Sequence, residues 1–279
     1  MVCKYGKTTT YISKIRKGHT PTMTAQRYKC IVQYDGTSYV GYQVQPNGNS
    51  VQTEIEKALK KMSNGQIIPI QASGRTDSGV HALGQVIHFD YPAAIKPDHL
   101  LRALNSLLPD DILIKSVEHA AEDFHSRYHA LGKKYIYRVD LDRFPNPFKR
   151  LYTTHHPYRF NMENLEQAIK KLEGEHDFTS FCSTKTDKTD LVRTVYEASV
   201  RKDEVNNELV FTFRGNGFLY NMIRIFVGTL LQIADGLKKV EEIDRLLEVK
   251  DRRKAGPTAP SQGLYLVEVY YDEEKLRNG

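Results

Sequence analysis

Hydrophobic and polar positions alternate along this chain in two successive series of strands and helices. In the first, "YKCIVQY" (28–34) is a short β-rich run stopped by the turn-forming "DGTSYVG", which predicts a strand followed by a loop. Ser50 then precedes Val51, Ile55, Ala58, Leu59 and Met62, an apolar stripe at helical spacing, so an amphipathic helix with a side-chain cap is predicted. "QIIPIQAS" and "QVIHFDY" are predicted as strands flanking the loop "GRTDSGV", "PDHLLRALNSLL" as a helix opened by Pro97, and "DILIKSVEHA" and "KKYIYRVDL" as two more strands. A turn-rich gap, "RFPNPFKR" (143–150), separates the second series. There Asn161 is the predicted cap of a helix carrying Leu165, Ala168, Ile169 and Leu172 on one face, with Gly174 closing it. Strands follow at "RTVYEASVRK" and "ELVFTFRG", then a helix "YNMIRIFVGTLLQIAD" ending at Gly236, a short helix near 241–248 and a final strand "LYLVEVYY".

Neither series shows strict strand–helix–strand alternation, which favours α+β units with antiparallel sheets over a doubly wound fold. At 279 residues the chain exceeds one average domain, so two units are expected, 27–148 and 149–279, with the boundary near 145–155 and residues 1–26 as an extension.

The net charge of +6 changes this picture less than it first suggests. Lys4, Lys7, Lys14, Arg16, Lys17 and Arg27 occur in a stretch without Asp or Glu, so residues 28–279 net to zero. Nucleic-acid binding must therefore be argued from local clusters rather than from overall charge. Three readings of the N-terminal stretch stand: a disordered phosphate-binding arm, a targeting peptide, or sequence upstream of a start at Met23. The last, or plain disorder, is preferred. No apolar run approaches the roughly 20 residues needed to cross a bilayer, so a soluble, cytoplasmic protein is expected. Cys3, Cys30 and Cys182 are odd in number and scattered, which fits neither a disulfide framework nor paired zinc spacing and suggests inert thiols.

Four stretches carry candidate chemistry. In "GRTDSGVHALGQVIHF" (74–89), Arg75, Thr76 and Asp77 sit between Gly74 and Gly79. Glycines there permit a close backbone approach by a ligand, and an aspartate of ordinary pKa about 3.9 is ionised at neutral pH. Such an anion can act as nucleophile, base or counter-charge; the plain alternative is an Arg75/Asp77 turn that ends a strand. "FHSRYHALGKKYIYRV" (124–139) interleaves Arg127, Lys133, Lys134 and Arg138 with Tyr128, Tyr135 and Tyr137. Cations beside aromatic faces suit nucleic acid, in which phosphates take the charge and unstacked bases lie on rings. Alternation puts Tyr135 and Tyr137 on one face of that strand, so inward-packed tyrosines of an ordinary sheet are the competing reading. "RGNGFLYNMIRIFVGTL" (214–230) places Arg224 in an otherwise apolar helix, where a buried guanidinium requires an anion, with Asp77 of the other half as the candidate. The alternative is a solvated Arg224 on a narrow polar strip. "DRRKAGPTAPSQGLYL" (251–266) joins the basic pair Arg252 and Arg253 to a rigid loop of small residues. His81 and His88 are seven apart and His155 and His156 adjacent, no HExxH, Walker loop or GxGxxG appears, and a mechanism without metal or cofactor is the simplest reading.

These stretches, with "YDGTSYVGYQVQ", "SVQTEIEKAL" and "HDFTSFC", resemble in order the signatures of the bacterial tRNA pseudouridine synthase A family, over roughly Tyr28 to Tyr271. The GRTDxGVHA block is the strongest. By the match, the family's catalytic aspartate is Asp77, its active-site tyrosine Tyr135, the basic residue paired with the aspartate Arg224, and the arginine that assists base extrusion Arg75; Leu264 falls among the substrate-binding positions. Arg127, Lys133, Lys134, Arg252 and Arg253 are the candidate RNA contacts. Tyr42 stands where the family usually carries Trp, Ser78, Ser126 and Ser261 stand where Ala is commoner, and residues 1–22 match nothing in the family. The resemblance implies two ferredoxin-like α+β halves sharing an extended antiparallel sheet with the active cleft between them. It also implies a homodimer that holds a tRNA anticodon arm and isomerises uridines 38, 39 and 40 without a cofactor. Two other readings are carried forward: a non-catalytic tRNA-binding or folding protein on the same scaffold, and a hydrolase using a single carboxylate on a glycosidic bond, for which no second carboxylate is evident.

Overall fold

A computed structural model describes residues 25–184 and 189–279; the expectations for the N-terminal stretch and for Met23 fall on residues outside these. The predicted strand at 28–34 is β1 (Gln26–Tyr34), which buries every second side chain from Tyr28 to Tyr34. Ser50 caps α1 (Val51–Met62), its Oγ accepting from the Thr53 N–H at 3.2 Å, and Val51, Ile55, Ala58 and Leu59 form the buried stripe. "QIIPIQAS" is only partly a strand. Pro69 has no N–H to give to a ladder, so Ile68 and Ile70 are buried without pairing and only β2 (Gln71–Ala72) pairs with its neighbour. β3 (His81–Tyr91), α2 (Pro97–Asn105), β4 (Ile112–His119) and β5 (Gly132–Asp140) follow.

The second series adds β6 (Thr154–His155), α3 (Met162–Lys170), β7 (Gly174–Asp177), β8 (Val192–Asp203), β9 (Glu208–Gly215), α4 (Met222–Ala234), α5 (Glu242–Val249), β10 (Leu264–Tyr270) and α6 (Glu273–Asn278). Asn161 caps α3 by accepting from the Asn164 N–H at 3.0 Å. Gly174, with φ of 105°, opens β7 a few residues beyond the helix rather than closing it directly.

Among the described residues ten strands join one sheet, in the order β4-β1-β3-β10-β5-β9-β8-β7, with β2 on β3 and β6 on β5. This is the mixed α+β architecture expected, with one difference in detail. β10 runs antiparallel to β5, placing Leu266 opposite Tyr135, but parallel to β3, placing Tyr265 opposite His81; the short β5–β6 pair is parallel too. A strand from near the chain's end thus separates β3 from β5 by two ladder spacings, about 10 Å.

Beyond β9, α4 is buried on nearly every side. Phe226 packs against Phe213 of β9, ring centroids 5.6 Å apart, and against Phe181 at 4.9 Å. The segment 255–260 lies directly on this helix. A Cβ at Gly228 would come 1.9 Å from the Pro257 carbonyl oxygen, and the Gly256 N–H donates to Thr229 Oγ1 at 3.0 Å. Glycine at 228 is what lets two backbones meet there. Among the described residues no helix is long and apolar enough to cross a membrane.

Candidate active site

The loop between β2 and β3 is fastened from inside. Ser73 Oγ donates to Gln85 Oε1 at 2.7 Å, Gln85 Nε2 donates to the Gly74 carbonyl at 2.9 Å, and Thr76 Oγ1 meets the Tyr34 hydroxyl at 2.8 Å in a buried contact. The Tyr42 N–H donates to the Thr76 carbonyl at 3.1 Å, and Asp77 forms an isolated backbone bridge with Gly41. Gly79 adopts φ of 76°, which closes the turn after the aspartate. With Thr76 serving as the anchor, the trio divides: Arg75 is exposed, and the Asp77 side chain is left 35% exposed.

Asp77 faces α4 rather than Arg75. Its Oδ2 lies 3.5 Å from Arg224 Nη1, across sequence from the other series of elements. Arg224 Nε donates to the Ala259 carbonyl at 2.7 Å and Nη1 donates to Asn221 Oδ1 at 2.9 Å, so the guanidinium is paired and mostly buried rather than solvated on a polar strip. Burial pushes the Asp77 carboxyl above its ordinary value, and Arg224 pulls it down without cancelling that effect. Arg224 therefore does not hold the acid below the usual carboxylate range, as pairing alone would suggest.

Tyr135 projects from β5 beside this pair and is 9% exposed, its ring meeting Phe218 edge-on at 5.4 Å. Burial first, with Asp77 among the lesser causes, raises its hydroxyl pKa, so the phenol keeps its proton at neutral pH. Tyr137, on the same face, is structural. Its hydroxyl donates to the Pro260 carbonyl at 2.7 Å and so ties segment 255–260 to the sheet.

Asp77, Arg75, Tyr135, Arg224 and Leu264 all line one cavity of about 830 Å³. Arg127 and Lys133 line it too, and Lys133 Nζ donates to the Ser73 carbonyl at 3.1 Å. Lys134, Arg252 and Arg253 are outside its wall. Lys134 alternates away from Tyr135 on β5, Arg252 donates to the Gly256 carbonyl and to Thr258 Oγ1, each at 3.0 Å, and Arg253 pairs with Asp251 at 2.8 Å. Asn221, Phe218 and Ala259 also belong to this neighbourhood although no motif singled them out. Asn221 stands three residues before Arg224, but its left-handed backbone puts it outside the helix, so the spacing does not mark it. Among the described residues no three His, Cys, Asp or Glu side chains gather as metal ligands. The arrangement offers a partly desolvated carboxylate with a guanidinium beside it, an aromatic face and cations at the rim, which suits work on a polyanion with a ring.

Comparison with known proteins agrees with that chemistry. A family model described as tRNA pseudouridine synthase matches residues 30–129 and 168–272. The tRNA pseudouridine synthase A of Latilactobacillus sakei subsp. sakei (strain 23K) is 54% identical over 246 residues, spanning 88% of this chain and 99% of the relative. That of Lacticaseibacillus casei (strain BL23) is 54% identical over 244 residues, with 88% and 99% covered. The protein of the same name from Geobacillus sp. (strain WCH70) is 50% identical over 248 residues, with 89% and 99% covered.

Proposed function

Because this chain belongs to the tRNA pseudouridine synthase family, we propose that its cleft isomerises uridines 38, 39 and 40 of the tRNA anticodon arm, with Asp77 as the catalytic group. The family reaction is an isomerisation on tRNA: the bond from N1 of uracil to C1′ of ribose breaks, the base turns, C5 bonds to C1′, the C5 proton leaves to solvent and N1 takes up a proton, so the composition is unchanged. Nothing is oxidised or reduced and no group is donated from outside.

Asp77 acts on the ribose, by attack at C1′ or by taking the C2′ proton. Arg224 supplies the counter-charge. The uracil leaves its stack, at a cost of a few kcal/mol, and lies against the Tyr135 ring; Leu264 bounds the pocket and Arg75 fills the place the base vacates. A phenol that keeps its proton is a poor base, so Tyr135 serves mainly as a surface. Arg127, Lys133, Lys134, Arg252 and Arg253 take phosphates and offset the cost of extrusion. The same reading takes residues 27–148 and 149–279 as two lobes and the working form as a cytoplasmic homodimer; its support is the family resemblance.

The observation that carries the proposal is the Asp77–Arg224 pair at 3.5 Å in the wall of the cavity that Tyr135 also lines. A protein that only bound or folded tRNA would need that pair for structure alone, so the two readings part on turnover. Tritium release from C5-labelled uridine in tRNA tests it: the wild type releases label, Asp77→Ala binds tRNA without releasing it, and mapping the modified positions checks 38, 39 and 40. Full activity of Asp77→Ala would end the assignment, and free uracil among the products would favour glycosidic hydrolysis.

A further inference from the structure

We propose that Asn221 sets the separation between Arg224 and Asp77, its amide oxygen holding the guanidinium short of closing onto the carboxylate, so that Asn221 is a positioning residue of the site. This rests on the reading of Asp77 as the catalytic acid.

Asn221 occupies the residue before α4, where an Asn side chain ordinarily accepts from a first-turn backbone N–H. Here it makes no such bond. Its backbone is left-handed, φ 61° and ψ 7°, which Asn tolerates better than most residues, and its Oδ1 accepts from Arg224 Nη1 at 2.9 Å instead. With Nε fixed on the Ala259 carbonyl at 2.7 Å, two neutral oxygens define the plane of the guanidinium. The same Nη1 then stands 3.5 Å from Asp77 Oδ2, whereas an unrestrained charge-assisted pair closes to about 2.7–2.9 Å. Arg224 thus lowers the cost of the charge on Asp77 while leaving its oxygens available to a sugar. If the amide is removed, the released N–H finds its nearest anionic acceptor in Asp77.

The other charged or titratable groups on this cavity are Tyr135 and Lys133 of β5, Arg75 of the Asp77 loop, Tyr42, Arg127, Tyr220 just before α4, Asp190 just before β8 and Arg193 near the start of that strand. None of them accepts the Arg224 hydrogen bond that Asn221 accepts.

The test uses Asn221→Gly and Asn221→Asp in the full chain, following Asp77 by its carboxyl ¹³C shift against pH and turnover by tritium release. Glycine adopts the left-handed backbone freely, so a residue needed only for its conformation would leave both readouts unchanged. The expected result for Asn221→Gly is titration of Asp77 at lower pH and turnover reduced about tenfold, with KM for tRNA held within about twofold. Asn221→Asp keeps the accepting oxygen and adds a negative charge, so Asp77 titrates at higher pH. Unchanged titration in Asn221→Gly, or a move to higher pH, overturns the proposal. A move to lower pH with undiminished turnover upholds the contact but overturns the positioning role, whereas failure of the Asp77 assignment itself shows separately as full activity of Asp77→Ala.

Discussion

Ala259 holds Arg224 at two points: its N–H donates to the Arg224 backbone carbonyl at 3.0 Å, and its own carbonyl accepts from Arg224 Nε at 2.7 Å. The segment 255–260 therefore acts as a strut between α4 and the sheet, fastened at one end by Gly256 on Thr229 and at the other by Tyr137 on Pro260. Its seating on Gly228 fixes where the guanidinium lies.

Gly228→Ala should break that seating. The added methyl would meet the Pro257 carbonyl at 1.9 Å, with backbone on both sides, so the strut must lift. Overpacking of this kind costs about 1–3 kcal/mol. Thermal denaturation should show the loss, together with a turnover deficit larger than the loss of folded protein explains; wild-type turnover would show that the strut does not position Arg224.

Asp77→Asn should leave stability unchanged or improved while abolishing pseudouridine formation. The folded carboxyl titrates above its unfolded value because burial disfavours the charge. Below the unfolded value ionisation contributes nothing; as pH rises through the folded value the buried charge costs stability, and the neutral isostere removes that cost. A melting temperature at pH 7.5 several degrees below the wild type contradicts this.

Arg224→Gln removes the group that pulls the Asp77 carboxyl down. The acid limb of the rate profile should therefore move to higher pH, opposite in sign to Asn221→Gly, and turnover should fall on the order of a hundredfold. A limb that stays in place would show that it does not report Asp77.

His88 gives the fold its own acid sensitivity. Burial, with smaller help from His125 and Arg27, pushes the ring from 6.5 to about 4, and its Nδ1 accepts from the Ser126 N–H at 3.1 Å. The unfolded ring takes up a proton that the folded ring refuses until about pH 4, so stability is lost as pH falls through that window. His88→Asn keeps an acceptor for Ser126 and cannot be charged. Its melting temperature should be lower at pH 7.5 yet vary less between pH 6.5 and 4.5; parallel curves for the two proteins would rule His88 out as the source.

Local signals were the ones the sequence expressed well. Ser50 and Asn161 announce α1 and α3 because a cap and its stripe lie within a few residues of each other. β6 and β7 carry no such signal: "TH" and "GEHD" have no apolar alternation and owe their strand form to β5 and β8 beside them. "QIIPIQAS" misleads in the other direction, since Ile68 and Ile70 are buried but Pro69 denies them a ladder, and Ile67 is exposed. The need of Arg224 for an anion could be read from its apolar helix. The roles of Asn221 and Ala259 could not, because one depends on a left-handed backbone and the other on a loop brought in from thirty-five residues away.

The insertion of β10 between β3 and β5 also governs how the cleft is completed. A chain that lacks residues 264–270 still contains Asp77, Tyr135 and Arg224, yet β3 and β5 would each present an unpaired stretch of edge beyond the parts covered by β2 and β6. The ladders that join β3 to β5 pair residues more than a hundred positions apart in sequence, so assembly of the cleft depends on long-range pairing, which ties competence for catalysis to the closing of the sheet.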